Sequence, residues 1–456
     1  MVEQQAYSEP AFRDLQSTFA GELIDRTDDQ YAESCALWNG MIKRSPALIA
    51  RCSSTEDVAK AVRFAREQNL SVSVRGGGHS AAGKALVDDG IVIDLTRMRN
   101  VQVDPENRVA RAQGGATWAD FDASTHQHGL AVTGGLISST GIGGLTLGGG
   151  FGWLMRSYGM SCDNLIGAEV VTASDDIIEV SEVERPELLW GLRGGGGNFG
   201  VVTRLDFRLH PVSTVLGGMI VHPIERAGEA LRFYRQFNED APRALTVYAA
   251  MMTDPDGNRV LAFICCYNGD PDEGQKILAP LIEWGPPLAV DLNPVPYPAL
   301  QSMLDEGFPP GLPVYWRGDF IDTLTDGVID TLVEKFGEVT SPLSALVVEQ
   351  FGGACQDFSP DHSAFGHRHA DYNIAIISRW DDDSDPDSHV SWARGVHDAI
   401  RPHASGVYVN YVGVGESEDR IREAYGPETY DRLARLKSQY DPENVFQSNQ
   451  NIKPAN

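Results

Sequence analysis

Residues 71–85 read SVSVRGGGHSAAGKA. From Ser71 to Arg75 polar and apolar side chains alternate, a period of two that predicts a short strand. The strand runs into Gly76, Gly77 and Gly78, then His79, and Lys84 follows shortly after. Consecutive glycines let a backbone approach a ligand closely, and successive free N–H groups form a nest for an anion. Two readings stay open on these residues alone. The loop holds a phosphate by its backbone with His79 incidental, or the histidine is itself the reacting group.

Two familiar nucleotide motifs fail here. Gly78–Ala85, GHSAAGKA, fits GxxxxGK but puts Ala85 where magnesium needs a hydroxyl, and ALVDDGIVIDL after it reads as a turn and a strand rather than a helix. Gly195–Gly200, GGGNFG, fits GxGxxG, yet VVTRLDFRL follows as a strand where a dinucleotide fingerprint requires a helix. What remains is three glycine clusters within residues 46–211: Gly76–Gly78, Gly141–Gly152 and Gly194–Gly200. Together they imply an extended ligand with phosphates in its middle.

Between the clusters lie β-type runs, GIVIDL, AEVVTAS, DIIEVS and VVTRLDFRL, each bounded by turn residues. TEDVAKAVRFAREQN predicts a helix on the spacing of Val58, Ala61, Val62 and Ala65, with Thr55 as its N-cap. From Val212 the strands GGMIVHPI, LTVYAAMMTD, RVLAFICCYNG and YNIAIISRW alternate with helical stretches such as GVIDTLVEKFGE. That pattern predicts a second α+β unit with an antiparallel sheet. A last segment holds VYVNYVG, a helical DRLARLKSQY and DPENVFQSNQNIKP.

The chain has 456 residues, enough for more than one core, and a formal net charge of −27. That charge repels nucleic acid and anionic membrane, so neither is expected as a partner. The six cysteines form no CxxC pair, and MVEQQAYSEPAFRDL lacks the basic and apolar regions of a signal peptide. No apolar run nears the ~20 residues that span a bilayer. The expectation is a cytoplasmic protein with reduced thiols.

The blocks TEDVAKAVRFAREQNLSVSVRGGGHS, GGLISSTGIGGLTLGGGFGWLMRSYGMSCDNL, LLWGLRGGGGNFGVVTRLDFRL, NYVG and YDPENVFQSNQNI resemble the FAD-linked oxidases of the vanillyl-alcohol oxidase fold, in the berberine-bridge-enzyme-like branch. The resemblance spans most of the chain. It implies a two-segment PCMH-type FAD-binding domain, residues 1–212 and 408–456, around an α+β substrate domain, residues 213–407. It also implies that His79 carries the flavin on its 8α-methyl group, which raises the reduction potential, while Gly76–Gly78 meet the pyrophosphate.

Further cofactor contacts carried over by the resemblance are Arg75, Ser80, Thr140, Gly141, Gly144, Leu145, Gly148, Gly149, Gly150, Gly152, Trp153, Asn164, Gly200, Val202, Asn449 and Asn451. Many relatives bear a second, cysteinyl flavin link; here Ile137 stands at that position, so a single link is expected. Thr140 is placed where the family tunes oxygen access. By the same resemblance the N–Y pair Asn410–Tyr411, in the last strand before the C-terminal block, is expected to supply the catalytic base, with Tyr411 needing its pKa lowered by a cation or the flavin surroundings. Glu349 is a further candidate, read as solvated or paired. His367, His369 and Asp371 form an HxH-plus-acid cluster for which no metal is expected. Tyr315, Trp316, Arg317 and Tyr372 are candidate cavity walls.

The implied activity is hydride transfer from an alcohol, hemiacetal, phenol or amine C–H of a small molecule to covalent FAD, reoxidised by O2 to hydrogen peroxide. A dehydrogenase using another acceptor and a non-catalytic flavin-binding protein are the alternatives.

Overall fold

The computed structural model describes residues 6–381 and 384–455. Residues 1–5, part of the amino-terminal stretch read for a signal peptide, lie outside them. The strand anticipated before the glycines is Val72–Arg75, and it pairs in parallel with Ile91–Asp94. Ile91–Asp94 also pairs in parallel with Leu48–Arg51, which takes Glu22–Asp25 antiparallel on its far side. Helix Thr55–Glu67 covers this small sheet with Val58, Ala61, Val62 and Ala65, all fully buried. Its N-cap is Ser54 rather than Thr55. Ser54 has the extended backbone of a cap and its hydroxyl accepts from Asp57 N, whereas Thr55 is already helical and donates to Glu169 Oε1 at 2.6 Å.

A second sheet is antiparallel throughout, in the order Val101–Asp104, Val109–Gln113, Val201–Arg208, Leu165–Val171, Ile177–Ser181. Both rejected nucleotide motifs therefore do lead into strands: Ile91–Asp94 after GHSAAGKA, and Val201–Arg208 after GGGNFG.

The third sheet has eight antiparallel strands. Its order is Ala289–Pro296, Thr214–Pro223, Arg259–Tyr267, Leu245–Thr253, Ala345–Gln350, Tyr372–Arg379, Val314–Ile321, Ala404–Gly406. Alternation decides what each face meets. Val247, Ala249, Met251, Leu261, Phe263 and Cys265 pack under helices Ala227–Glu239, Pro271–Glu283, Asp326–Gly337 and Pro386–Ile400. Their neighbours Tyr248, Ala250, Ala262, Ile264 and Cys266 point the other way, onto Phe151, Trp153, Met155 and Tyr408. That second face fixes the site: in register, Ile264, Tyr248, Glu349, Asn373 and Phe320 form one row across five strands.

VYVNYVG is not a strand. Val409–Tyr411 is a single 3-10 turn, and the chain goes on to helices Glu418–Tyr425 and Pro427–Tyr440. This turn lies beside strand Val314–Ile321 and closes that side of the sheet face. Among the described residues no helix is long and apolar enough to cross a membrane.

Candidate active site and cofactor cavity

The three glycine clusters converge on one cavity. Gly76–Gly78, Gly141, Gly143, Gly144 and Gly148, and Gly196, Gly197 and Gly200 all line it, with Ser80, Thr140, Leu145 and Val202. Two loops can meet there only because they lack side chains. A Cβ on Gly77 would stand 2.3 Å from Gly141 N, and one on Gly141 equally close to Gly77 N. The C-terminal segment then clamps the loops. Asn449 Nδ2 donates to Gly197 O at 3.0 Å, and Ser448 Oγ donates to Lys84 O at 3.2 Å. Buried Lys437 donates to Asn198 O, Phe446 O and Asp441 Oδ2, the last at 2.6 Å.

His79 lies on the cavity wall between two hydroxyls: Ser139 Oγ is 2.9 Å from Nε2, and Thr140 Oγ1 is 3.3 Å from Nδ1. Its ring stacks on Trp38 at 5.1 Å. Burial lowers its pKa to about 4, against a smaller opposing pull from Asp305, so the ring is neutral at neutral pH. A neutral imidazole keeps the lone pair that bonding to carbon requires.

Trp316, Phe151, Tyr408, Asn410 and Tyr411 form another wall. Tyr411 lies over Gly318, where a Cβ would come 2.6 Å from its Cδ2, and packs 5.0 Å from the Trp316 ring. Its hydroxyl donates to Glu349 Oε1 at 2.8 Å, while Asn373 Nδ2 donates to Oε2 at 2.6 Å. Desolvation raises the buried Glu349 carboxyl to about 7 in spite of these two donors. Tyr411 is pushed well above its ordinary value, first by burial and then by the Glu349 charge. The shift is thus opposite to the lowering expected of a catalytic base at this position. Among the described residues no cation meets the phenol, and its partner is an acid. Glu349 is accordingly paired and buried, not solvated.

Asn410 spends its amide on Leu145 O at 3.0 Å and the Tyr408 hydroxyl at 2.9 Å, which makes it a brace for the turn that presents Tyr411. Tyr408 stacks on Phe151 at 3.9 Å and accepts from Gly150 N.

Seven of the anticipated cofactor contacts do not line the cavity: Arg75, Gly149, Gly150, Gly152, Trp153, Asn164 and Asn451. Arg75 is turned to Ser34 O, at 2.5 Å. Gly152 abuts the Gly134 carbonyl, where a Cβ would be 1.7 Å from the oxygen. Trp153 packs on Tyr248, and Asn164 donates to Tyr158 O and Met160 O. Gly149 lies against Phe365, and Asn451 holds a buried Oδ1 without a partner.

Of the four wall candidates only Trp316 lines the cavity. Tyr315 and Tyr372 belong to the helix-covered core, and Arg317 pairs with Glu416 at 3.0 Å. His367 faces Glu423 O and His369 faces Asp322; among the described residues no group of three acids, histidines or cysteines is placed to hold a metal. Ile137 lines the cavity, whereas Cys162 is buried beside Asp163. Sequence reasoning missed Trp38, Asn373 and Gly318, each of which acts only through long-range contact.

The sequence matches the family described as FAD binding domain over residues 46–181 and that described as Berberine and berberine like over residues 407–453. An FAD-linked oxidoreductase of Dictyostelium discoideum is 34% identical over 439 residues, covering 95% of both chains. The (R)-6-hydroxynicotine oxidase of Paenarthrobacter nicotinovorans is 32% identical over 458 residues, covering 95% of this chain and 97% of that one. The crystal structure of 6-hydroxy-D-nicotine oxidase from Arthrobacter nicotinovorans superposes with a TM-score of 0.89 at 29% identity, covering 96% of this chain and 99% of that one. The chain belongs to the berberine-like FAD-linked oxidoreductases, with an α+β, PCMH-type fold, and it is an FAD-dependent oxidoreductase of an oxidase family.

The cavity fits that cofactor. Cβ atoms on Gly144 and Gly197 would enter open space, and Asn449, which lines the cavity, has a buried Oδ1 without a donor. A ligand with phosphates, hydroxyls and ring N–H groups supplies what these walls lack.

Proposed function

We propose that this protein oxidises a small molecule at a C–H bond next to a hydroxyl or amine, with FAD bound covalently through His79 and O2 as acceptor. One observation carries the reading: the cavity that takes FAD is lined by both His79 and Tyr411, and Tyr411 is hydrogen-bonded at 2.8 Å to a buried carboxyl. When bound, FAD accepts the hydride and returns the electrons to O2 as hydrogen peroxide.

Tyr411 moves the proton. A phenol whose own pKa is raised is a poor free base, but it serves as a relay. As the substrate hydroxyl gives its proton to the Tyr411 oxygen, Tyr411 gives its own to Glu349 Oε1, and no tyrosinate is needed. Asn373 keeps Oε2 occupied and so directs Oε1 at the phenol. Asn410 holds the turn, and Trp316 with Trp38 offers flat apolar surface for the substrate. No cysteine lines the cavity among the described residues, which supports a single histidyl link. Residues 1–212 with 408–456 are proposed as the cofactor domain and 213–407 as the substrate domain, a division supported by the clamp of the C-terminal segment on the glycine loops.

Anaerobic titration with alcohols, hemiacetals, phenols and cyclic amines tests the reading. Bleaching of the flavin by one class, with peroxide on admitting air, is the expected result. Bleaching without peroxide makes the protein a dehydrogenase, and no bleaching by any class leaves a flavin-binding protein without this activity.

A further inference from the structure

Lys84 is the only charged side chain among the described residues that line the cavity. It belongs to the GHSAAGKA motif, which the failed P-loop reading left without a role. Its backbone is held on both sides: the Lys84 amide donates to Ser80 Oγ at 3.3 Å, and its carbonyl accepts from Ser448 Oγ. Its ammonium has no hydrogen bond or ion pair with any described residue. The acids nearest in sequence are engaged elsewhere, Asp88 with Ser45 N and Asp89 with Arg26.

A second cation worsens the position. Arg44 Nη1 binds Gly83 O and Leu86 O on either side of Lys84, at 3.1 and 2.6 Å. Burial first and Arg44 second push the Lys84 pKa down, and no acid pulls it back. An ammonium held half-buried beside another cation, with no counter-charge, is costly unless a ligand supplies the anion. If Lys84 served only to pack its stem along the wall, its head would be expected on a carboxylate or in open water.

We propose that Lys84 is the cationic partner of the FAD pyrophosphate, acting with the backbone nest of Gly76–Gly78, and that it makes the cavity select the dinucleotide over the phosphate-free flavin. The inference rests on the FAD reading above. The pyrophosphate carries FAD's formal charges, and a charge-assisted hydrogen bond in a partly dry cavity is stronger than a neutral one.

The test removes the covalent link so that affinity can be read. In full-length His79→Ala protein, stripped of flavin, FAD and riboflavin are titrated by fluorescence quenching. Adding Lys84→Met is expected to weaken FAD about ten- to a hundredfold, to leave riboflavin unchanged, and to be largely reversed by Lys84→Arg. With Lys84 present, rising salt is expected to weaken FAD and spare riboflavin, a measurement that needs no second variant to fold. Equal loss for the two flavins, or no salt dependence specific to FAD, overturns the role of Lys84. Failure of the His79→Ala protein with Lys84 intact to bind any FAD overturns the FAD reading instead.

Discussion

The Tyr411 hydroxyl donates to Glu349 Oε1 across 2.8 Å, joining a turn near the C-terminus to a central strand of the eight-stranded sheet. The two residues are 62 positions apart. Their meeting depends on Gly318, which gives the phenol ring room to lie flat on the neighbouring strand. Together they place a phenol on the cavity wall and a buried proton acceptor directly behind it.

Glu349→Gln keeps an acceptor for the phenol and a partner for Asn373 but cannot take a proton. Flavin reduction is expected to slow by about 10²–10⁴-fold with flavin content unchanged, the range for losing a positioned acid–base group. Anaerobic stopped-flow absorbance checks it, and a rate within threefold of wild type (roughly 0.6 kcal/mol) contradicts the relay.

The relay also fixes a pH dependence. Burial raises the Glu349 pKa to about 7, so the group is protonated and unable to accept below that value. Hence kcat/KM should rise with pH through about 7 and level off above it. In Glu349→Gln that limb should vanish, leaving a low, flat profile. A limb that survives the substitution belongs to another group.

Gly318→Ala puts a methyl group where Tyr411 Cδ2 lies 2.6 Å away, on a strand that cannot yield without disturbing both partners. The ring must shift, and the phenol with it. A misplacement of about 1 Å costs on the order of 10²-fold in rate. The expected signature is a lower kcat, full flavin loading and an unaltered flavin spectrum.

Asp122 is buried with one oxygen near Gln301 Nε2 and the other unpartnered, and desolvation raises its pKa to about 7. The folded state thus binds a proton that the unfolded chain has lost above pH ~4. This contribution is intact at low pH and is lost as pH rises through about 7. The stability advantage of Asp122→Asn over wild type should grow between pH 5 and pH 8, by on the order of 3 kcal/mol. An unchanged difference between the two pH values would show that Asp122 is solvated.

Much of the fold can be read along the chain. The alternation in LTVYAAMMTD and RVLAFICCYNG separates two sheet faces residue by residue, and the glycine clusters mark the loops that converge on the cavity. Local patterns fail where the deciding contact is remote. Nothing in VVEQFGGA says that Glu349 meets a phenol from the C-terminal segment, and VYVNYVG has β-type composition although Val409–Tyr411 folds as a 3-10 turn. The direction of the Tyr411 shift is illegible for the same reason, since it depends on which charge the fold brings alongside. Arg75, Trp153 and Asn164 belong to family-like blocks but spend their polar atoms or rings on holding the loops in place.

His79 is where the proposed cofactor link, the glycine loops and a neutral imidazole come together, so its chemistry is the most direct test. Purified protein is precipitated with acid, and the pellet is digested and mapped by mass. The account predicts a yellow pellet, with the flavin mass on the peptide containing His79 and on no other. Colour released to the supernatant, or an adduct on a different peptide, would contradict it.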